Sequence, residues 1–405
     1  MKTGIDIVEI SRFREMKNLD AFLKRVFTKD EIAYFAQKKN SCESIAGHYA
    51  AKEAFAKYLG SGLRGFSWRD MEIKHDTLGK PFLLFMGHPA DVDISISHSD
   101  TVAVSVVCGE VNCLGGKLAE YIKSYQAFLP KRRSDMHKGD AGRVLVVAGS
   151  KGMTGAACLT AESAMRCGSG LVTLALPESE QPVAATKLTE AMTLALPAKE
   201  GKIASSAKEV IMEKAAESDV CILGPGLGKT EATLPVIKEL LMNHLPLLLD
   251  ADGLNALCGH IDILKNKRCA VVLTPHPGEM ARLLDCSVTA IEENREETAV
   301  RFAKEYGVTL VLKGHHTIIA SPLGEIHVNE SGNSGMATGG MGDVLSGVIG
   351  SFIGQGLNPY HAALLGVFLH GLAGDMAASE IGKFGMIAGD VLMRLPKAIA
   401  QLEMA

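Results

Sequence analysis

Gly332-Asn333-Ser334-Gly335-Met336-Ala337-Thr338-Gly339-Gly340-Met341-Gly342-Asp343-Val344-Leu345-Ser346-Gly347 is the most informative stretch of this 405-residue chain. Small residues through Gly342 let the backbone approach a ligand closely, and the apolar Val344-Leu345 pattern predicts a helix that starts at about Asp343. Unpaired N–H groups and the helix dipole then form an anion hole for a phosphoryl group. Asp343 at that helix N-terminus is placed to take a proton from a substrate hydroxyl while the hole stabilises the transferring phosphate. Taken alone, the same stretch also reads as a Gly-rich loop with a capping Asp.

The surrounding sequence has α/β grammar. From residue 143 onward, apolar runs with few charges (144–148, 171–176, 220–223, 245–249, 270–273, 309–312) alternate with helical segments such as 156–167 and 292–306. Strands apolar on both faces, separated by helices, imply a mostly parallel sheet covered on both sides, a three-layer α/β domain. Several runs end in Gly-rich or polar turns, among them Gly149-Ser150, Gly224-Pro225-Gly226-Leu227-Gly228 and Asp250-Ala251-Asp252. Ligands bind at those carboxyl ends in open α/β sheets.

Residues 2–116 have a different texture, mixed α+β. A short strand is expected over 5–8 and a helix over 46–59, ended by Gly60-Ser61-Gly62. Strands follow over 71–74 and 81–85, then a hairpin of 92–97 with 102–107. We place the boundary near residue 118, giving domains 1–118 and 119–405.

Composition narrows the function classes. With 47% apolar and 22% charged residues the chain is globular, and a net charge of −4 excludes a basic nucleic-acid binder. Asp6 and Glu9 interrupt the N-terminus where a signal peptide needs an apolar run, and no later run reaches the about 18–20 residues of a membrane span, so a cytoplasmic protein without a membrane partner is expected. The nine cysteines are odd in number and scattered, and are expected as buried free thiols. Glycine is abundant at 42 residues, and it clusters after residue 139.

The Gly-Gly-x-Gly-Asp element at 339–343 resembles the anion hole and catalytic Asp of the ribokinase-like superfamily. Its companions narrow the likeness: His137-Lys138-Gly139-Asp140-Ala141-Gly142, the 224–228 loop, Asp250-Ala251-Asp252-Gly253-Leu254-Asn255, Leu273-Thr274-Pro275-His276-Pro277-Gly278-Glu279 and Lys313-Gly314-His315-His316-Thr317. In this order, from Leu129 onward, they resemble ADP-dependent NAD(P)HX dehydratase. That resemblance implies repair of hydrated NADH or NADPH, with ADP consumed and AMP and phosphate released. A kinase-like site suits this chemistry, because phosphorylating a hydroxyl makes it a good leaving group. By resemblance, Lys313, Gly314, His315, His316, Thr317 and Gly342 contact the nucleotide, Ala156, Gly226 and His276 contact the hydrated dinucleotide, and Asp343 is the catalytic base. Other readings of single residues stay open: Lys313 as a strand-end surface charge, Asp250 and Asp252 as caps of the next turn, His315 and His316 as backbone contacts only. His361 and His370 lie on an apolar helical stretch and read as packed side chains.

In the first domain two acidic residues carry the chemistry. Asp6 lies in an apolar strand and Glu53 in a helix between Lys52 and Lys57; two carboxylates plus substrate phosphates is how Mg²⁺ is usually held. The plainer alternative is that Asp6 caps or pairs with a lysine while Glu53 and Lys57 form a surface i,i+4 pair. Gly4-Ile5-Asp6-Ile7-Val8-Glu9-Ile10, Phe27-Thr28-Lys29-Asp30-Glu31, Ala50-Ala51-Lys52-Glu53-Ala54, Leu78-Gly79-Lys80-Pro81 and Ile96-Ser97-His98-Ser99 resemble holo-acyl-carrier-protein synthase over residues 2–109. The resemblance implies that Asp6 and Glu53 bind Mg²⁺, with Glu53 catalytic, that Lys52, Lys57 and His98 contact coenzyme A, and that Arg12 docks the acidic acyl carrier protein. It further implies transfer of 4′-phosphopantetheine to a serine of that protein. His48-Tyr49 departs from the Arg-Phe common in that family, which removes a fixed positive charge. Both resemblances imply homo-oligomers, trimers for the first domain and tetramers for the second. The rival reading is a small-molecule kinase whose N-terminal domain only binds or oligomerises.

Overall fold

Alternation along Lys2–Glu9 turns Gly4, Asp6 and Val8 inward and leaves Ile5 and Ile7 on the surface, as a strand with one covered face requires. In the computed structural model, which describes residues 2–59, 67–85, 88–90, 92–109 and 124–404, this strand pairs antiparallel with Val102–Gly109. Val102–Gly109 pairs in turn with Asp93–His98, as the predicted hairpin requires. The helix Cys42–Leu59 covers the inner face so closely that a Cβ at Gly4 would stand 2.0 Å from the Ala54 carbonyl oxygen. Glycine is therefore dictated there by contact, not by turn geometry. The second small sheet contains the two expected strands, Met71–His75 and Pro81–Phe85, joined by a turn in which Asp76 Oδ1 accepts from the Leu78 and Lys80 amides. The expected helix stop at 60–62, the boundary at 118 and Cys113 lie outside the described residues.

The chain divides into two units, Met1–Ala127 with Ala400–Ala405, and Phe128–Ile399. The second is built on a sheet of nine strands among the described residues. In spatial order these are Ile326–Val328, Ile318–Ala320, Thr309–Leu312, Val271–Leu273, Leu247–Leu249, Val220–Leu223, Arg143–Val147, Leu171–Pro177 and Met192–Leu196. All neighbours are parallel except the last two pairings at the Ile326 edge. Chain order reverses between Arg143–Val147 and Val220–Leu223, and at such a switch point a crevice opens outside the carboxyl ends. Every predicted strand of this unit is present. The expected helix 292–306 is broken at Asn294 into Val288–Glu293 and Arg295–Tyr306, while the glycine-loop helix starts two residues early, at Met341.

Pro359–Ile381 reaches the length and apolarity of a membrane span, yet 83% of its most apolar window is buried inside the unit. It is a core helix, and its Asp375 reaches the glycine loop described below. Among the described cysteines, 158, 167, 221 and 269 are buried free thiols as expected. Cys286 is exposed, a correction to that expectation, because it follows the end of the surface helix Pro277–Leu284.

Candidate active sites

Strand ends at the carboxyl edge of the large sheet deliver the charged side chains of the site. Asp250, directly after Leu247–Leu249, is 1% exposed. Its Oδ1 accepts from Lys313 Nζ at 2.8 Å and its Oδ2 from Ser346 Oγ at 2.9 Å. Lys313 follows Thr309–Leu312 and also lies 3.7 Å from Glu279 Oε2. Burial works against its charge, but Asp250, Glu279 and Asp343 outweigh that and hold its pKa above the ordinary lysine value.

The glycine loop completes the cluster. Gly340 caps the helix Met341–Gly354 at φ +90°, a conformation that side chains rarely adopt. It leads into three amides, Met341, Gly342 and Asp343, that have no acceptor within the helix. Gly342 lies against the lysine: a Cβ there would be 3.2 Å from Lys313 Nζ. Asp343, in the first turn, has its pKa raised to about 7, first by burial and then by the charges of Asp250 and Glu279, with Lys313 opposing. A carboxylate poised near neutrality beside an array of N–H groups can accept a proton while those groups hold an oxyanion.

Two of the predicted contacts of the hydrated dinucleotide, Gly226 and Ala156, lie together. A Cβ on Gly226 would meet the Ala156 Cβ at 3.0 Å, and Ser150 Oγ donates to the Gly226 carbonyl at 2.8 Å. The helix Thr154–Arg166 carrying Ala156 is tied to the glycine-loop helix by Thr160, whose hydroxyl donates to the Asp343 carbonyl at 3.1 Å. His276 Nδ1 accepts from the Gly278 and Glu279 amides, and Glu279 returns the bond to the His276 amide, a capping box. Its pKa is lowered, chiefly by burial, which suits the neutral ring that such acceptance needs. His315 and His316 are exposed and their backbone is clamped, with Arg295 Nη1 donating to the His315 carbonyl. Thr317 Oγ1 donates to the Gly314 carbonyl at 3.1 Å.

Of the two aspartates left open by sequence, neither caps the following turn: Asp252 accepts from the Gly228 amide and the Asn255 side chain, while Asp250 joins the charge cluster. Glu279, Ser346, Arg295 and Asp375 escaped sequence reasoning. Asp375 holds the glycine loop by accepting from the Gly332 amide and the Asn333 side chain. For Glu279 and Ser346, the signals that could have found them are the capping-box spacing of Glu279 from His276 and the place of Ser346 three residues after Asp343 on one helix face. His361 stacks on Phe128 and His370 is buried, as expected for packed residues. A separate cavity of ≈ 310 Å³, lined by Arg143, Leu171 and Lys214 among others, lies where strands begin, away from this chemistry.

In the first unit Asp6, Glu53, Tyr49, Lys57, Glu9 and Arg12 line one pocket of ≈ 540 Å³. Glu53 accepts from the Tyr49 hydroxyl at 3.0 Å, and Asp6 Oδ1 accepts from Lys57 Nζ at 2.7 Å, so Lys57 pairs with Asp6 and not with Glu53. Two carboxylates facing one open pocket, each with an oxygen lacking a partner among the described residues, fit a hard cation that keeps waters and takes phosphate oxygens. His98 is exposed at the end of its strand, two strands from Val8, and does not line this pocket.

Lys52 requires a correction. Its side chain is fully buried and its ammonium donates to Glu31 at 2.7 Å and to the Val26 and Trp68 carbonyls, so it has no path to a phosphate of coenzyme A. Burial pushes Glu31 up and Lys52 down, opposed by their mutual attraction. Lys52→Met would leave Glu31 buried without its partner, and is expected to cost about 3–5 kcal/mol. Trp68, the single tryptophan of the chain, lies in this unit, so the shift in denaturant midpoint is read by its fluorescence. An unchanged midpoint would contradict the structural role. His48 is likewise buried, bonded to the Ser44 carbonyl, with its pKa pushed down to about 4 by burial. It supplies no positive charge to the pocket.

Comparison with known proteins finds matches for both parts of the chain. Residues 144–397 match the family model described as NAD(P)H-hydrate dehydratase, and residues 2–109 that of the 4′-phosphopantetheinyl transferase superfamily. A bifunctional NAD(P)H-hydrate repair enzyme of Moorella thermoacetica is 48% identical over 68% of this chain and 52% of its own length. The ADP-dependent (S)-NAD(P)H-hydrate dehydratase of Neisseria meningitidis is 38% identical over 64% of this chain and 86% of its own. The crystal structure of the ADP/ATP-dependent NAD(P)H-hydrate dehydratase of Bacillus subtilis, co-crystallised with ATP/Mg²⁺, superposes with a TM-score of 0.60, at 31% identity over 69% of this chain and 97% of that one. The chain spans about half the length of the bifunctional relatives it matches. With its glycine loop, its strand-end charge cluster and its mostly parallel sheet all falling inside the matched region, the chain belongs to the NAD(P)H-hydrate dehydratase family, on a ribokinase-like fold, and carries a phosphopantetheinyl-transferase-type domain ahead of it.

Proposed function

We propose that the second unit dehydrates the hydrated form of NADH or NADPH with ADP as phosphoryl donor. The observation that carries this reading is Asp343, raised to about 7 and set among the free amides of the glycine loop, next to Lys313. The loop of Lys313, Gly314, His315, His316 and Thr317, with Gly342, holds the nucleotide; Ala156, Gly226 and His276 hold the hydrated dinucleotide. The substrate hydroxyl oxygen attacks the β-phosphorus as Asp343 takes its proton, the bond to the AMP oxygen breaks, and AMP leaves. The carbon–oxygen bond of the new ester then breaks, inorganic phosphate leaving with the bonding pair, while the neighbouring ring carbon gives a proton to water and its C–H electrons form the ring double bond again. Charge on the transferring phosphoryl is met by the amides and Lys313.

A base with this pKa sets the pH dependence. For dehydration, kcat/KM is expected to be low in acid, where Asp343 is protonated, and to rise through an acid limb centred at about 7 as it ionises. A rate flat from pH 5.5 to 8.5, roughly one and a half units either side, would remove Asp343 from the base role.

For the first unit we propose transfer of 4′-phosphopantetheine from coenzyme A to a serine of acyl carrier protein. Asp6 and Glu53 would hold Mg²⁺, which when bound neutralises the diphosphate of coenzyme A. Tyr49 orients Glu53, Lys57 steadies Asp6, and Arg12 on the pocket rim meets the acidic carrier protein. The exposed Ile5 and Ile7, 53% and 64% accessible on the outer sheet face, support a homo-oligomer. The free thiols support a reducing compartment, the cytoplasm.

A further inference from the structure

Lys313 is surrounded by more negative charge than it can neutralise. Asp250, Glu279 and Asp343 all act on it, from three different elements. The remaining titratable groups nearby are Arg282, which donates to Asn255, the buried His370, and His276, both histidines with lowered pKa. One cation among three carboxylates has a choice of partner, and the geometry decides it. Lys313 bonds Asp250, whose other oxygen is held by Ser346, one turn beyond Asp343 on the same helix.

The backbone around Asp250 is fixed independently. Its amide donates to the Leu223 carbonyl, its carbonyl accepts from the Gly253 amide, and the next residue, Ala251, sits at φ +47°, a conformation that costs a residue with a side chain. A buried carboxylate with both oxygens bonded on a strained, anchored turn is a built feature of the site. Asp250 does not cap the following turn, since its two carboxylate oxygens are taken by Lys313 and Ser346.

We infer that Asp250 is a positioning residue: by binding Lys313 and Ser346 together, it locks the lysine to the first turns of the Met341–Gly354 helix and keeps it from pairing with Asp343. The inference rests on the reading of Asp343 as the base. With Lys313 held by Asp250, the cation faces the anion hole, where a transferring phosphoryl needs it, and Asp343 keeps the proton affinity of a useful base. Loss of the Asp250 charge frees Lys313 to swing to Asp343, which then becomes a stronger acid and a weaker base.

The test is the pH dependence of dehydration in the full chain. Asp250→Asn is expected to move the acid limb of kcat/KM by about one unit or more toward acid and to lower the plateau rate, because Asp343 loses the like charge of Asp250 and gains Lys313 as a partner, and both changes favour its ionised form. Asp250→Glu, which retains the charge, is expected to keep the limb near its wild-type position. Should Asp250→Asn not fold, Ser346→Ala decides: it releases one oxygen of Asp250 and is expected to shift the limb in the same direction by a smaller amount. A limb present in wild type, lost in Asp343→Asn and unmoved in both Asp250→Asn and Ser346→Ala would overturn this inference alone. A wild-type enzyme without the limb would overturn the base reading with it.

Discussion

Asp343→Asn is expected to bind nucleotide as the wild type does and to lose ~10²–10⁴-fold in dehydration turnover, the contribution of a positioned general base. The amide fills the same space in the first turn of Met341–Gly354 but cannot take the hydroxyl proton. Nor does the fold depend on the carboxylate. A carboxyl group whose folded pKa is about 7 against an ordinary 3.8 costs stability as pH rises through that window, and the cost is absent below the lower value. Asn carries none of it, so the variant should unfold no earlier than wild type at neutral pH. Lost turnover with unchanged unfolding and unchanged nucleotide affinity separates chemistry from damage. Turnover within threefold of wild type, less than the roughly 10²-fold floor, would refute the base.

Glu53→Gln is expected to abolish phosphopantetheine transfer while leaving dehydration at its wild-type rate. The variant keeps the bond partner of Tyr49, whose hydroxyl stands 3.0 Å from the Glu53 carboxylate, and removes one of the two negative charges facing the pocket. A hard divalent cation in a site built on two carboxylates loses much of its hold when one becomes neutral. Loading of apo carrier protein from coenzyme A in the presence of Mg²⁺, measured beside dehydration on the same sample, reads both activities. Loss of both would point to unfolding; retention of transfer would remove Glu53 from the metal site.

The large fold was legible because strands buried on both faces read as short apolar runs, and Val220–Leu223 is such a run from end to end. The two antiparallel strands Ile318–Ala320 and Ile326–Val328 were not, because three residues between turns carry no period. In the site, Asp343, Gly342 and Lys313 announced themselves through glycine spacing and strand ends. Glu279 and Ser346 did not, since their partners Lys313 and Asp250 are 34 or more residues away and are brought close only by the parallel sheet. Lys52 shows the opposite error: a lysine beside a catalytic-looking glutamate reads as a phosphate ligand. Yet the helix turns it away from Glu53 and into the core, where Glu31 and two carbonyls wait.

Dehydration by this kinase-like site is tested by incubating the full chain with hydrated NADPH, ADP and Mg²⁺ and following NADPH absorbance together with AMP and phosphate. Recovery of NADPH is expected, with one AMP and one phosphate released for each molecule repaired. No recovery of NADPH, with a phosphorylated alcohol formed from a small hydroxymethyl compound instead, would contradict it.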